Sequence, residues 1–188
     1  MGEALEGDLD FLDGAVFPHT CDSIQRLSDI WRLNAGMDLH FDVVHPVKLN
    51  TPGARQYLHD ILLLFQKQLS EAIGREITDE DLAASIKLFN RLRRQLTELY
   101  KFREERPDLV SGTDIFAALR ASMTMERSQF VELMEGFLEK LRAEKDSAPA
   151  STVPGLILAG GVCDHPDLYS IIEKAGAYVC WDDLCAGS

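Results

Sequence analysis

The chain has 188 residues, 46% hydrophobic and 27% charged, a balance that excludes a disordered tail or a fibrous repeat. Its 19 Lys and Arg stand against 31 Asp and Glu, a net charge of -12. Such a surface repels phosphate backbones, so no nucleic-acid partner is expected. The longest run of bulky apolar residues, Ile61-Leu62-Leu63-Leu64-Phe65, is far short of the roughly 20 residues a membrane helix needs, and no membrane partner is expected either.

The first residues, Met1-Gly2-Glu3-Ala4-Leu5-Glu6, carry acid where a secretory signal carries Lys or Arg, and they lack the Ser or Thr of a myristoylation motif. A cytoplasmic protein is expected. There Cys21, Cys163, Cys180 and Cys185 are expected as thiols, metal ligands or core residues rather than disulfides.

In chain order, Ala15-Val16-Phe17, closed by Pro18, reads as a buried strand. Ile24, Leu27, Ile30 and Trp31 then recur at helical spacing, with Asp22 or Ser23 as N-cap, and Phe41-Asp42-Val43-Val44 reads as a second strand ended by His45-Pro46. Strand, helix, strand is a βαβ unit with parallel strands. The middle is helical. Thr51-Pro52 is expected to open a helix with the stripe Ala54, Tyr57, Leu58, Ile61, Leu62, Phe65, Leu69 and Ile73. Thr78-Asp79-Glu80-Asp81 resembles a capping box before a helix presenting Leu82, Ile86, Phe89, Leu96 and Leu99, stopped at Pro107. Ser111-Gly112-Thr113 starts a shorter helix, and Phe130, Leu133, Met134, Phe137, Leu138 and Leu141 mark another.

Residues 144–154 lose this periodicity and gain Pro, Ser and Ala, which reads as a linker. A second βαβ pattern follows. Leu156-Ile157-Leu158-Ala159 is expected as a buried strand leaving through Gly160-Gly161, Asp164-His165-Pro166 opens a helix through Glu173, and Ala177–Trp181 is the next strand, ended by Asp182-Asp183. The fold class is therefore α/β, with parallel-sheet, Rossmann-like βαβ units at both ends joined by a helical middle. The expected division is 1–50 as the end of one α/β domain, 51–143 as the helical connection, 144–154 as the linker and 155–188 as the start of a second α/β domain. A strand close to each end of the chain suggests a piece of something longer.

Ligands of parallel α/β sheets bind beyond the carboxyl ends of the strands. Cys21, Cys163 and Cys185 all fall at such places. Cys21 has the strongest physical case, because His19-Thr20-Cys21-Asp22-Ser23 puts it at a helix start, where backbone N–H groups and the helix dipole favour a thiolate. A thiolate there could ligate iron or zinc, or act as a nucleophile; a thiol tucked near a turn is the competing reading. Cys180 alternates with Tyr178 and reads as core, while Cys163 and Cys185 stay open. His45 reads as a loop residue, His40 and His59 as residues near helices without a role, and Arg91-Leu92-Arg93-Arg94 as a solvated helix face. Gly160-Gly161 is half a glycine fingerprint and weak evidence for a dinucleotide site. No Cys-x-x-Cys pair, catalytic Ser-His-Asp set or Walker loop is present.

The segment Phe17-Pro18-His19-Thr20-Cys21-Asp22-Ser23-Ile24-Gln25-Arg26-Leu27-Ser28-Asp29-Ile30-Trp31 resembles the benzoyl-CoA reductase / 2-hydroxyacyl-CoA dehydratase subunit family. So does the stretch from Leu158-Ala159-Gly160-Gly161 through Ile171–Ala177 to Trp181–Ser188, and the helical middle follows the same order of features. The resemblance implies two α/β domains joined by helices in a subunit about twice this length. It also implies a 4Fe–4S cluster held by three cysteines, of which Cys21 matches the middle one; the others are expected upstream of Met1 and downstream of Ser188. His19, Asp22 and Ser23 would then surround the cluster or line the substrate pocket. Whether Cys163 or Cys185 contacts a cluster is left open.

The implied chemistry is radical reduction of an acyl-CoA thioester through a ketyl radical anion, leading to loss of a 2-hydroxyl group or to ring reduction. The implied partners are a homologous second subunit and an ATP-dependent iron–sulfur activator, in an anaerobic host. With one ligand of three, the isolated chain is expected to be inactive and to retain no cluster. The competing function is a non-catalytic small α/β binding module with structural cysteines.

Overall fold

The computed structural model describes residues 1–145, 153–163, 165 and 167–185. It divides into two compact units, Met1–Asp79 and Glu80–Ser188. In the first, a short helix α1 (Gly2–Glu6) precedes strand β1 (Gly14–Pro18), helix α2 (Asp22–Asn34), strand β2 (Leu39–Val43) and helix α3 (Ala54–Ile73). β1 and β2 pair in parallel from Gly14↔Leu39 to Pro18↔Val43, so α2 is the crossover of the expected βαβ unit. The ladder opens tightly. A Cβ on Gly14 would lie 2.4 Å from the Leu39 carbonyl oxygen, so only glycine lets the strands start there.

Alternate strand residues face opposite sides. Phe17 lies on the α2 side, where its ring centroid is 5.8 Å from that of Trp31. Phe41 lies on the other side, 5.6 Å from Phe65 of α3. The strand is less buried than Ala15-Val16-Phe17 suggested: Phe17 is buried, but Val16 is 47% exposed because α3 reaches Phe41 and leaves Val16 open. The helix expected at Thr51-Pro52 begins instead after a turn, with Gly53 as N-cap, and of its predicted stripe only Ala54 is buried.

The second unit contains helices α4 (Asp79–Glu105), α5 (Gly112–Thr124) and α6 (Arg127–Glu144), then strand β3 (Gly155–Ala159), helix α7 (Asp167–Lys174) and strand β4 (Tyr178–Asp183). α4 ends before Pro107 as expected. α5 opens on a capping box, with the Ser111 hydroxyl accepting from Asp114 N–H at 3.1 Å and the Asp114 carboxylate accepting from Ser111 N–H at 2.8 Å. The core joins Leu92, Leu99 and Tyr100 of α4 to Ile115 and Leu119 of α5 and to Phe130, Met134 and Leu138 of α6. The predicted stripes run further than this core. Leu82, Ile86 and Phe89, before the packed half of α4, are exposed, and so is Leu133 of α6.

β3 and β4 are parallel, but the register slips between Leu156↔Val179 and Ile157↔Trp181, so Cys180 is an extra residue without a partner in the ladder. A bulge moves the residues beyond it to the opposite face. Val179 and Asp182, three apart, are therefore both buried. This corrects two expectations: Asp182 is an interior strand residue rather than a stop, and Cys180 is a half-buried bulge residue rather than core, its Sγ 3.3 Å from the Leu156 carbonyl. β3 is also exposed where a buried strand was expected, with Ile157 at 71%. The expected linker at 144–154 overlaps the end of α6 at Glu144, and its residues 146–152 lie outside the described residues, as do Asp164 and Pro166 of the expected helix opening.

Candidate functional site

The site at the carboxyl end of β1 is built by the three residues between β1 and α2, His19-Thr20-Cys21. His19 N–H donates to the Val43 carbonyl at 2.9 Å, continuing the β1–β2 ladder, and Thr20 N–H closes a turn on the Pro18 carbonyl at 2.8 Å. Cys21 is the N-cap of α2, extended at φ -154° and ψ 166°, and its carbonyl accepts the first helical bond from Gln25 N–H at 3.1 Å. Sequence reasoning placed the cap at Asp22 or Ser23; the helix starts one residue earlier. The Cys21 side chain makes no capping bond and is exposed. A thiol therefore stands at a helix end where the first backbone N–H groups lack helical partners. Asp22 and Ser23 follow it in the first turn, both exposed, and His19 is half-buried.

Behind the turn lies a polar cluster that sequence reasoning missed. Asp42 accepts from His19 Nε2 at 2.8 Å and from the Ser28 hydroxyl at 2.5 Å, and His40 Nε2 lies 3.4 Å from its second oxygen. Burial raises the Asp42 carboxyl, but the bonds from Ser28 and His19 and the charges of His40 and His19 outweigh it, and the group titrates below the usual carboxylate range. His40, set aside as a residue near a helix, is in fact a β2 residue facing α2. The signal was parity: Phe17 on one strand with His19 just past its end, and His40 and Asp42 on the next, fall on one face.

In the second unit, the loop after β3 and the start of α7 border a cavity of about 530 Å³ lined by Gly160, Gly161, Cys163, Asp167, Ile171 and Leu184, among others. Cys163 is half-buried, with Sγ 3.7 Å from the His165 carbonyl, and Cys185 is exposed. Inside the same unit, Asp182 accepts from Tyr100 Oη at 2.7 Å and from Tyr169 Oη at 3.2 Å. Arg103, 1% exposed, donates to the carbonyls of Val179, Pro107 and Val110 and to Glu173 at 2.5 Å. The Arg91, Arg93 and Arg94 side chains are exposed as expected, while Leu92 between them is buried.

The chemistry of the donor set tests what metal this arrangement could hold. Among the described residues, no three His, Cys, Asp or Glu side chains converge as a metal site. Cys21 offers one exposed sulfur, the soft kind of donor an iron–sulfur site takes, and the described residues do not make up a complete donor set. Among the described residues, no helix is long and apolar enough to cross a membrane.

Known proteins resemble the chain along nearly all of its length. It is 31% identical over 179 residues to one of the subunits of benzoyl-CoA reductase from Thauera aromatica, covering 93% of this chain and 45% of that one. It is 28% identical over 186 residues to the beta subunit of (R)-2-hydroxyglutaryl-CoA dehydratase from Acidaminococcus fermentans, covering 97% and 48%. With the (R)-phenyllactyl-CoA dehydratase beta subunit of Clostridium sporogenes it shares 21% over 185 residues, covering 98% and 49%. The chain thus spans about half the length of the curated relatives it matches. The family expected from the segment around Cys21 is the one found: residues 1–188 match 2-hydroxyglutaryl-CoA dehydratase, D-component, and the chain belongs to that family.

Proposed function

We propose that the chain is part of an iron–sulfur subunit of a 2-hydroxyacyl-CoA dehydratase or benzoyl-CoA reductase, acting on an acyl-CoA thioester by radical reduction. The observation that carries this reading is the exposed Cys21 thiol at the start of α2, beyond the tip of a parallel strand, in a chain of this family. In this reading Cys21 binds one iron of a 4Fe–4S cluster whose remaining ligands come from outside the described residues. Such a cluster supplies a low-potential electron for reduction of a thioester carbonyl. The chain's own residues hold the iron at Cys21, and His19, Asp22 and Ser23 surround that position and line the approach of the substrate. The N–H groups at the start of α2 offset the negative charge of a thiolate-bound cluster. The partners are a homologous second subunit, in keeping with relatives that are themselves named as subunits, and an ATP-dependent activator. The 188-residue chain alone is inactive in this reading.

The test is turnover. The complete polypeptide, produced anaerobically with its partner subunit and supplied with activator, ATP and reductant, is offered (R)-2-hydroxyacyl-CoA thioesters and benzoyl-CoA. Consumption of one class that depends on both activator and ATP supports the reading, and its product separates dehydration from ring reduction. Failure to consume either class overturns it.

A further inference from the structure

The cluster behind Cys21 can be resolved bond by bond. An ionised carboxylate only accepts hydrogen bonds. His19 Nε2, 2.8 Å from Asp42 Oδ1, therefore carries its proton on that nitrogen. The Ser28 hydroxyl has one proton and gives it to Asp42 Oδ1 at 2.5 Å. Its oxygen then accepts from His40 Nε2 at 2.9 Å, and the same His40 N–H leans towards Asp42 Oδ2 at 3.4 Å. Each direction follows from the one before. In a neutral His19 ring the bare nitrogen is then Nδ1.

The donors come from three different segments. His19 belongs to the turn after β1, Ser28 to α2, and His40 to β2. The cluster is also packed from behind: Ser28 is 1% exposed, and the His40 ring stacks on the buried Phe17 with centroids 4.9 Å apart. The turn that carries Cys21 is thus fixed on both sides. Upstream, His19 is tied to β2 twice, by its backbone to Val43 and by its ring to Asp42. Downstream, α2 is tied to β2 through Ser28. Cys21 lies exposed between these two attachments.

We propose that Asp42 is the positioning residue for Cys21: its carboxylate holds His19 as the Nε2–H imidazole and clamps α2 to β2. The thiol is thereby presented in one place, and Nδ1 of His19 is left to accept a hydrogen bond two residues away in the chain. What Cys21 is positioned to bind rests on the function proposed above; the Asp42 network itself does not. Ligands preorganised by a hydrogen-bonded shell keep their metal more tightly, and removing such a partner weakens metal binding about 10- to 100-fold.

Three forms of the complete polypeptide test this: the natural sequence, Asp42→Asn, and Asp60→Asn as a control. Asp60 of α3 is exposed, accepts from Gln56 and lies 3.5 Å from the His59 ring, and neither of these is an Asp42 donor. Long-range 15N–1H correlation spectra of the histidine rings, recorded with His19 neutral, are expected to show the Nε2–H tautomer in the natural protein and the control. A tautomer mixture is expected in Asp42→Asn. After anaerobic iron loading, Asp42→Asn is expected to lose iron to a chelator about 10-fold faster than the other two.

An Nδ1–H ring in the natural protein, or an unchanged tautomer in Asp42→Asn, overturns the network. Equal iron loss in all three overturns the positioning role. If the natural protein binds no iron, the iron reading and the positioning role fall together, while the spectra still decide the network. Should Asp42→Asn fail to fold, Ser28→Ala removes a single donor and is expected to speed iron loss in the same direction; no change there overturns the clamp.

Discussion

Each βαβ unit carries an aspartate near the end of its second strand, and the two are held by different chemistry. Asp42 of β2 keeps 27% of its side chain exposed and takes its donors from two imidazoles and a hydroxyl. Asp182 of β4 is completely buried and takes two phenols, one from α4 and one from α7. Burial, and then the adjacent Asp182 carboxylate, push both phenols far above the ordinary tyrosine range, so both stay protonated well into alkali. Arg103 adds a second tie, from α4 to the β4 backbone and to Glu173 of α7. The second βαβ unit is thus locked to a helical core. The first has a thinner core and places an exposed thiol beside its polar cluster. One aspartate serves the fold, and the other, as proposed above, positions a site.

The two tryptophans can report on this difference separately, because Trp31 packs in the first unit and Trp181 lies 4.9 Å from Tyr100 in the second. The largest effect is expected for Arg103→Ala. It takes the guanidinium from three carbonyls and from Glu173, which keeps the Gly112 N–H, at a cost of about 3 kcal/mol. Urea unfolding followed through Trp181 should show it; a midpoint equal to that of the natural protein would mean that the lock is not a lock.

Tyr100→Phe is expected to cost about 2 kcal/mol, since it takes a hydrogen bond from a buried charge, and Tyr169→Phe less, its bond being longer. The folded-state phenols titrate above the reference value of 10.0, so their contribution is complete below that pH and is lost as pH rises through the folded-state values. The natural protein should therefore lose stability steeply in alkali. Tyr100→Phe should flatten that loss when urea midpoints are compared at neutral and strongly alkaline pH.

The smallest stability effect is expected for Asp42→Asn, about 1 kcal/mol and visible through Trp31. The sign of its pH dependence is opposite. Asp42 titrates below its reference value of 3.8, so its contribution is complete above that value and is lost on acidification through the folded-state value. An acid unfolding curve followed at Trp31 should be shallower in Asp42→Asn. If Trp31 and Trp181 respond alike to all these changes, the contrast between the two aspartates fails.

Much of this architecture was legible in the sequence. Period and punctuation located both βαβ units, the helix start at Ser111, the stop at Pro107 and the helix start beside Cys21. What escaped was decided by tertiary register. His40 and Asp42 are ordinary polar residues until β1 and β2 pair in parallel and set them on one face with His19. Asp182 looks like a strand terminator because the bulge at Cys180, which turns it inward, has no signature in hydrophobic alternation. Arg103 stands in a helix rich in charge, where an arginine reads as solvated; only the carbonyls of Val179, Pro107 and Val110 bring it inside. Helix stripes were overextended for the same reason, since periodicity marks an apolar face but not how far a neighbour covers it.

The central claim is that the thiol of Cys21 binds iron, and it is tested most directly by Mössbauer spectroscopy with iron and sulfide analysis. The complete polypeptide is loaded with 57Fe without air, alongside its Cys21→Ala form. The natural protein is expected to show a 4Fe–4S spectrum with matching sulfide, and Cys21→Ala to lose that signal while keeping its fold by circular dichroism. The same cluster at the same occupancy in both proteins, or none in either, would contradict the account.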